Sequence, residues 1–164
     1  MKEGNRISDR KGACLTCLGP SSSYQGESGN AASMVLKFNY QKFSMLFTGD
    51  LEGEGERSFL VGKNSCGNYT ILKTAHHGAD NSTSEQFLEK NHFSYALISA
   101  GEDNPYGHPG KQLLKRLEKY DIKSFCTKDG GAVSVSTDGS KMYVRKFFRI
   151  GCLRKNTIYA RIAL

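Results

Sequence analysis

Three apolar segments in this chain each stop at a polar, glycine-containing cluster, and helical signals lie between them. Residues 42–48 end at Gly49-Asp50. Residues 69–74 run into Ala75-His76-His77-Gly78. Residues 93–99 give way to Gly101 and then to a polar loop from Asn104 to Pro109. Helices that alternate with apolar strands form layers, with the helices covering a sheet. The pattern therefore predicts an α/β layered fold.

The remaining segments extend this reading. Residues 1–32 are polar and turn-rich and read as a loop or an incomplete domain edge, with one short strand near 13–18. Residues 33–38 and 42–48, separated by Asn39, Tyr40 and Gln41, predict a β-hairpin. Residues 52–60 read as a short acidic helix. Ser82-x-x-Glu85 has the form of a capping box opening a helix to about Lys90. Pro109 fits the first position of the next helix, with Leu113, Leu114 and Leu117 as its inward face. Residues 122–127 and 132–137 are predicted strands, and Asp138-Gly139 turns the latter into a strand over 141–148.

With 164 residues, the chain has the length of one domain. Charged residues make up 24%, mean hydropathy is −0.50, and apolar runs such as Met45–Phe47 are a few residues long. These values exclude a membrane-embedded chain and argue against a disordered one. No apolar leader follows Met1, so the expectation is a chain with reduced thiols in the cytoplasm. Cys14 and Cys17 form a lone C-x-x-C, read either as a zinc site or, more plainly, as small apolar residues; Cys66, Cys126 and Cys152 are scattered.

Charge is unevenly placed. Net charge is +7, yet the first 140 residues carry 16 basic and 16 acidic groups, so the excess lies in the seven Lys and Arg from Lys141 onward. Tyr143, Phe147 and Phe148 are interleaved with them. Such a segment suits a polyanion, with Lys141, Arg145 and Lys146 as candidate contacts; the alternative is a last strand followed by a frayed basic tail over 149–164.

Chemistry is expected where strands stop, because a sheet holds side chains at its ends rigidly. His76, His77 and His108 fall there, and His92, just after a helix, reads as a surface residue. Asp and His at adjacent strand ends are ligand types for Zn²⁺ or Mn²⁺. Two structural alternatives stand beside this: Asp50 as the N-cap of the 52–60 helix, and the His pair as a hydrogen-bonded turn.

Read in order, Asn30-Ala31-Ala32-Ser33-Met34-Val35-Leu36, Phe47-Thr48-Gly49-Asp50-Leu51-Glu52 and Leu72-Lys73-Thr74-Ala75-His76-His77-Gly78 form a connected series of motifs. It continues with Ile98-Ser99-Ala100-Gly101, Asn104, Tyr106-Gly107-His108-Pro109, Thr127 and Asp129-Gly130. The series resembles the metallo-β-lactamase-like domain of ComEC-type competence (DNA-uptake) proteins and their free-standing hydrolase relatives, most clearly over residues 30–135. The resemblance implies a four-layer αβ/βα sandwich with two divalent ions, zinc or manganese, that activate water. It implies Asp50 as the bridging ligand and His76 as a ligand, with His77 as neighbour, proton donor or, in the reverse order, the ligand itself. His108 would face the same cavity and contact a phosphate or the metal, while Ser99 and Asn104 would shape the loop and approach the substrate. The implied substrate is single-stranded DNA, and a membrane-associated complex is compatible with the family.

One departure limits these expectations. The family's H-x-H-x-D-H motif has no counterpart, since no two of the four histidines stand two apart. The resemblance thus implies that residues 1–148 correspond to the C-terminal half of such a domain. Most ligands would then come from a second chain or N-terminal half, with weak or absent hydrolysis by the chain alone and one sheet face left apolar and open. The alternatives are a non-catalytic DNA-binding module and an inactive remnant.

Overall fold

A computed structural model of the chain describes every residue except Glu27, Asn64, Gly130, Gly151 and Cys152, with residues 148–150 and 153–163 described by their backbone alone. Gly130 and Cys152, both noted in the sequence, lie outside the described residues. The strands are β1 (Arg6–Ser8), β2 (Cys14–Gly19), β3 (Val35–Tyr40), β4 (Phe43–Phe47), β5 (Gly67–Lys73), β6 (Asn91–Ile98), β7 (Lys123–Cys126), β8 (Val133–Thr137), β9 (Lys141–Ile150) and β10 (Leu153–Ala163). The α-helices are α1 (Gly53–Val61), α2 (Glu85–Lys90) and α3 (Lys111–Lys119).

Strands β1 to β7 form one mixed sheet in chain order. The first four pair antiparallel and the last four, β4 to β7, pair parallel. Each parallel step crosses over through one helix, and the three helices share a face. On that face Leu60, Phe87, Leu88, Leu113 and Leu117 pack with Leu46, Leu72, Ala96 and Ile98 of the strands. Alternation along the strands sends Phe43, Met45, Ile71 and Phe125 to the opposite face. There they meet Met142 and Val144, with Val133 and Val135, from a second antiparallel sheet ordered β10-β9-β8. The result is three layers: helices, a seven-stranded sheet and a three-stranded sheet.

Several expectations are corrected. The sheet face expected to stand open is covered by β8 and β9, because Val133 and Val135 of β8 and Met142 and Val144 of β9 are apolar and turned inward. Large exposed apolar side chains among the described residues (Met1, Ile7, Met34, Val61, Tyr106 and Leu114) come from separate segments. In place of a frayed tail, the backbone of 153–163 pairs along β9. The β3–β4 hairpin turns at Gln41-Lys42, after the expected position, since Tyr40 still pairs with Phe43.

Helix starts also shift. Ser84, not Ser82, caps α2 by accepting the Phe87 amide at 3.2 Å. Buried Ser82 instead donates to the carbonyls of Ala75 and Ala79. Pro109 precedes the N-cap, Gly110, and Leu114 faces solvent while Leu113 and Leu117 are buried. Among the described residues, no helix is long and apolar enough to cross a membrane.

Candidate functional site

The carboxyl ends of the parallel strands are stitched together by threonines. Thr48 Oγ1 donates to the Lys73 carbonyl at 2.8 Å, Thr74 Oγ1 to the Leu97 carbonyl at 3.2 Å, and Thr127 Oγ1 to the Ala100 carbonyl at 2.8 Å. Everything that follows these threonines therefore starts from a fixed edge. Phe47 pairs with Lys73, so Asp50 and His76 stand the same three residues beyond a paired position. The His76 amide donates to the Gly49 carbonyl at 3.0 Å, which ties the two segments directly. Gly49 turns the chain at φ +54°, where an added Cβ would come within 3.2 Å of the Ser33 side chain. This lets Ser33 Oγ accept the Asp50 amide at 3.1 Å.

Asp50 is half-buried and lies outside α1, whose N-cap is Glu52; the N-cap reading of Asp50 does not hold. Its carboxylate has no hydrogen-bond partner among the described residues. Burial lowers the Lys73 ammonium from its ordinary value while the Asp50 charge pulls it the other way, so the two groups sense each other at the strand ends. Lys73 itself donates to the Thr74 carbonyl at 2.9 Å.

The histidine pair forms a tight turn, with Gly78 N donating to the Ala75 carbonyl at 2.8 Å and Ala79 N to the His76 carbonyl at 2.9 Å. The turn reading of the pair is thus correct, and it also aims the rings. His76 Nδ1 lies 2.7 Å from Glu52 Oε2. Burial pushes the Glu52 carboxyl up, but hydrogen bonds from His76, Asn30 and Asn81, with the His76 charge, outweigh it and hold the carboxyl below its ordinary value. Glu52 is therefore ionised at neutral pH and can only accept, so the contact is made by a His76 Nδ1 that donates. His77, exposed, places Nδ1 2.8 Å from the Ser99 carbonyl, which likewise only accepts. With Nδ1 donating, a neutral ring keeps its lone pair on Nε2, the form in which imidazole binds a metal.

A third ring joins them. His108 lies 5.8 Å from His76 between centroids, His77 lies 6.3 Å from His76, and Tyr106 stacks on His108 at 5.8 Å. Asn104 holds that loop: it donates to the carbonyls of Gly101 and His108 and accepts the His108 amide at 2.7 Å. Its amide is thus engaged in shaping the loop rather than turned toward a substrate. Ser99 contributes its main-chain carbonyl.

The other expected contacts divide. Lys141 and Arg145 are exposed on β9, whereas Lys146 is turned inward, 9% exposed, and paired with Asp129 at 3.1 Å. Cys14 and Cys17, three apart on one strand, sit on opposite faces, and Cys17 is fully buried as the apolar reading expects. His92 is exposed on β6.

Glu52, Asn30 and Asn81 were not among the candidate site residues. The available signal was a glutamate two places after Asp50, at a helix start where Ser, Thr, Asp or Asn is preferred. Among the described residues, no three His, Cys, Asp or Glu side chains converge to hold a metal ion. The donor chemistry fits a divalent ion; the number of donors among the described residues does not close a site.

Residues of the chain match ComE operon protein 3 of Bacillus subtilis at 36% identity over 107 residues, 65% of this chain and 14% of that protein. The chain is similar to part of that protein. Competence protein ComA of Neisseria gonorrhoeae matches at 37% over 105 residues, 63% of this chain and 15% of that protein. Recombination protein 2 of Haemophilus influenzae matches at 34% over 107 residues, 65% of this chain and 13% of that protein. The chain thus spans about a seventh of the length of the curated relatives it matches. No family model matches it.

Proposed function

We propose that this chain supplies part of the site of a metal-dependent hydrolase of the metallo-β-lactamase kind, acting on nucleic-acid phosphodiester bonds in competence. The observation that carries the reading is the pairing of Asp50, whose carboxylate has no hydrogen-bond partner among the described residues, with His76, its Nδ1 held by Glu52, across the Gly49–His76 backbone bond. Asp50 and the Nε2 atoms of His76 and His77 are the donors to zinc or manganese. A divalent ion bound there would polarise a phosphodiester oxygen and acidify bound water. The resemblance implies two ions, and three donors shared between two fall short of the three protein ligands that a catalytic zinc takes for itself, so the remaining ligands come from outside this chain, as an H-x-H-x-D-H segment. His108 stands next to His76 and is the candidate contact for a phosphate. The similarity to a ComE operon protein, a competence protein and a recombination protein supports DNA as the substrate class.

A second reading, a DNA-binding module without catalysis, is favoured by one feature. Inward Met142 and Val144 leave Lys141, Tyr143 and Arg145 on the solvent side of β9, a basic and aromatic strip.

One experiment separates the two. Single-stranded DNA is incubated with Mn²⁺ or Zn²⁺ and the folded chain, alone and mixed with a polypeptide carrying an H-x-H-x-D-H half-domain. The hydrolase reading expects little cleavage alone, cleavage in the mixture, and loss of it in Asp50→Ala. Absence of cleavage in both settings overturns it. Salt-sensitive binding that survives Asp50→Ala and is lost in Lys141→Glu/Arg145→Glu then establishes the second reading.

A further inference from the structure

Glu52 occupies the N-cap of α1, yet its side chain makes no capping bond to that helix. Its oxygens go elsewhere. Oε1 accepts Asn30 Nδ2 at 3.0 Å; Oε2 accepts Asn81 Nδ2 at 2.8 Å and faces His76 Nδ1 at 2.7 Å. Three donors from three separate segments thus converge on one carboxylate: the 3₁₀ turn of residues 29–32, the histidine turn, and the loop before α2. A residue that gives up a local helix cap for three long-range bonds is placed by something other than helix stability.

The loops that bring these donors in are themselves fixed. Asp80, beside Asn81, accepts the Leu113 amide of α3 at 2.8 Å, and Arg116 grips the carbonyls of Asp80, Ser82 and Thr83. Asn81 therefore reaches Glu52 from an anchored loop, and Glu52 is clamped between two amides before it meets the imidazole. A clamped acceptor at 2.7 Å leaves His76 one ring orientation and one neutral tautomer.

We propose that Glu52 is a positioning residue that fixes His76 as the Nδ1–H tautomer, so that Nε2 presents its lone pair outward beside His77 and His108. The use of that lone pair for a metal rests on the reading above; the tautomer itself does not. Outer carboxylates of this type orient an imidazole and raise its basicity, and their loss weakens metal binding about 10–100-fold.

The test uses the full chain, ¹⁵N-labelled and free of metal, with ring nitrogens followed by long-range ¹H–¹⁵N correlation at a pH where the rings are neutral. In the wild type, His76 carries its proton on Nδ1. In Glu52→Ala it reverts to the ordinary solution preference for Nε2–H, while His77, held by the Ser99 carbonyl, keeps its proton on Nδ1. Asn81→Ala shifts His76 the same way but less. A wild-type His76 protonated on Nε2, or no change in either variant, overturns the proposal; the wild-type measurement decides even where a variant fails to fold. Zn²⁺ titration of the same samples then expects affinity lower by about 10–100-fold in Glu52→Ala. Absence of Zn²⁺ binding in wild type and variant, with the tautomer switch intact, removes the metal reading and leaves the positioning role standing.

Discussion

His76, His77 and Gly78 adopt φ values of +45°, +54° and +85° in succession. Only glycine occupies this region without penalty, and each non-glycine residue held there costs on the order of 1–3 kcal/mol. Two histidines persist in it because the turn is over-determined. The Gly49, Ala75 and His76 carbonyls each take an amide from the segment, and the Gly78 carbonyl accepts the Gly110 amide at 2.8 Å. The twist carries His76 toward Glu52 and His77 toward Ser99, so the strain accompanies the aiming of both rings. Gly78 is the closing element: a Cβ there would lie 3.0 Å from Ile98 Cγ2 and Leu113 Cδ2 and 3.1 Å from Pro109 Cβ. Unfavourable φ and overpacking act together in Gly78→Ala, and the expected loss is about 2 kcal/mol or more. A urea midpoint equal to that of the wild type would show that the turn is looser than these contacts require.

At the scale of elements, apolar runs and their periodicity revealed β3 to β9 and the three helices, because burial on one face of a sheet or helix writes itself into local sequence. Helix starts were less readable. The amides before α2 are taken by Glu56, which accepts Thr83 N at 2.7 Å and Ser84 N at 3.0 Å, and an α3 amide is taken by Asp80. These partners lie 27 to 33 residues away in the chain, beyond any local capping rule. The same holds for the site: Asp50 and the histidines stood out as strand-end residues, whereas Glu52 becomes significant only once Asn30 and Asn81 are folded against it. Strand β1, exposed along its length, has no alternation to detect. Where the determinants are local, the reading is firm, as at the β8–β9 turn. There Asp138 Oδ1 accepts Ser140 N and Ser140 Oγ at 2.9 Å and Lys141 N at 2.7 Å. The two backbone bonds, then the Ser140 hydroxyl, hold its carboxyl below the ordinary 3.8 despite some desolvation. A depressed folded value means that the stabilisation is full above 3.8 and is lost as pH falls through the lower folded value. The Ser140 and Lys141 amide shifts should therefore titrate together with a midpoint below 3.8, and a midpoint at or above it would remove the bonds from the account.

For the molecule as a whole, the small sheet decides what kind of experiment can be interpreted. Residues after 140 hold the basic excess, but they also hold Met142 and Val144, both fully buried against Phe43, Met45, Ile71 and Phe125. Burial of a Met or Val side chain contributes about 1.5–3 kcal/mol, and a domain's net stability is about 5–15 kcal/mol. Ending the chain at residue 140 would remove both side chains and also uncover the four that they shield. A chain of residues 1–140 is therefore expected to lose cooperative thermal unfolding and to bind a hydrophobic dye such as ANS, independently of any change in charge. Cooperative melting near the full-length temperature would instead show that the second sheet is dispensable, and with it the three-layer account of the core. Since β9 presents Lys141 and Arg145 to solvent and Met142 and Val144 to the core, charge and fold can be separated by substitution at Lys141 and Arg145. Loss of DNA binding on truncation would report unfolding, whereas loss on charge reversal in a protein that still melts cooperatively would report the surface.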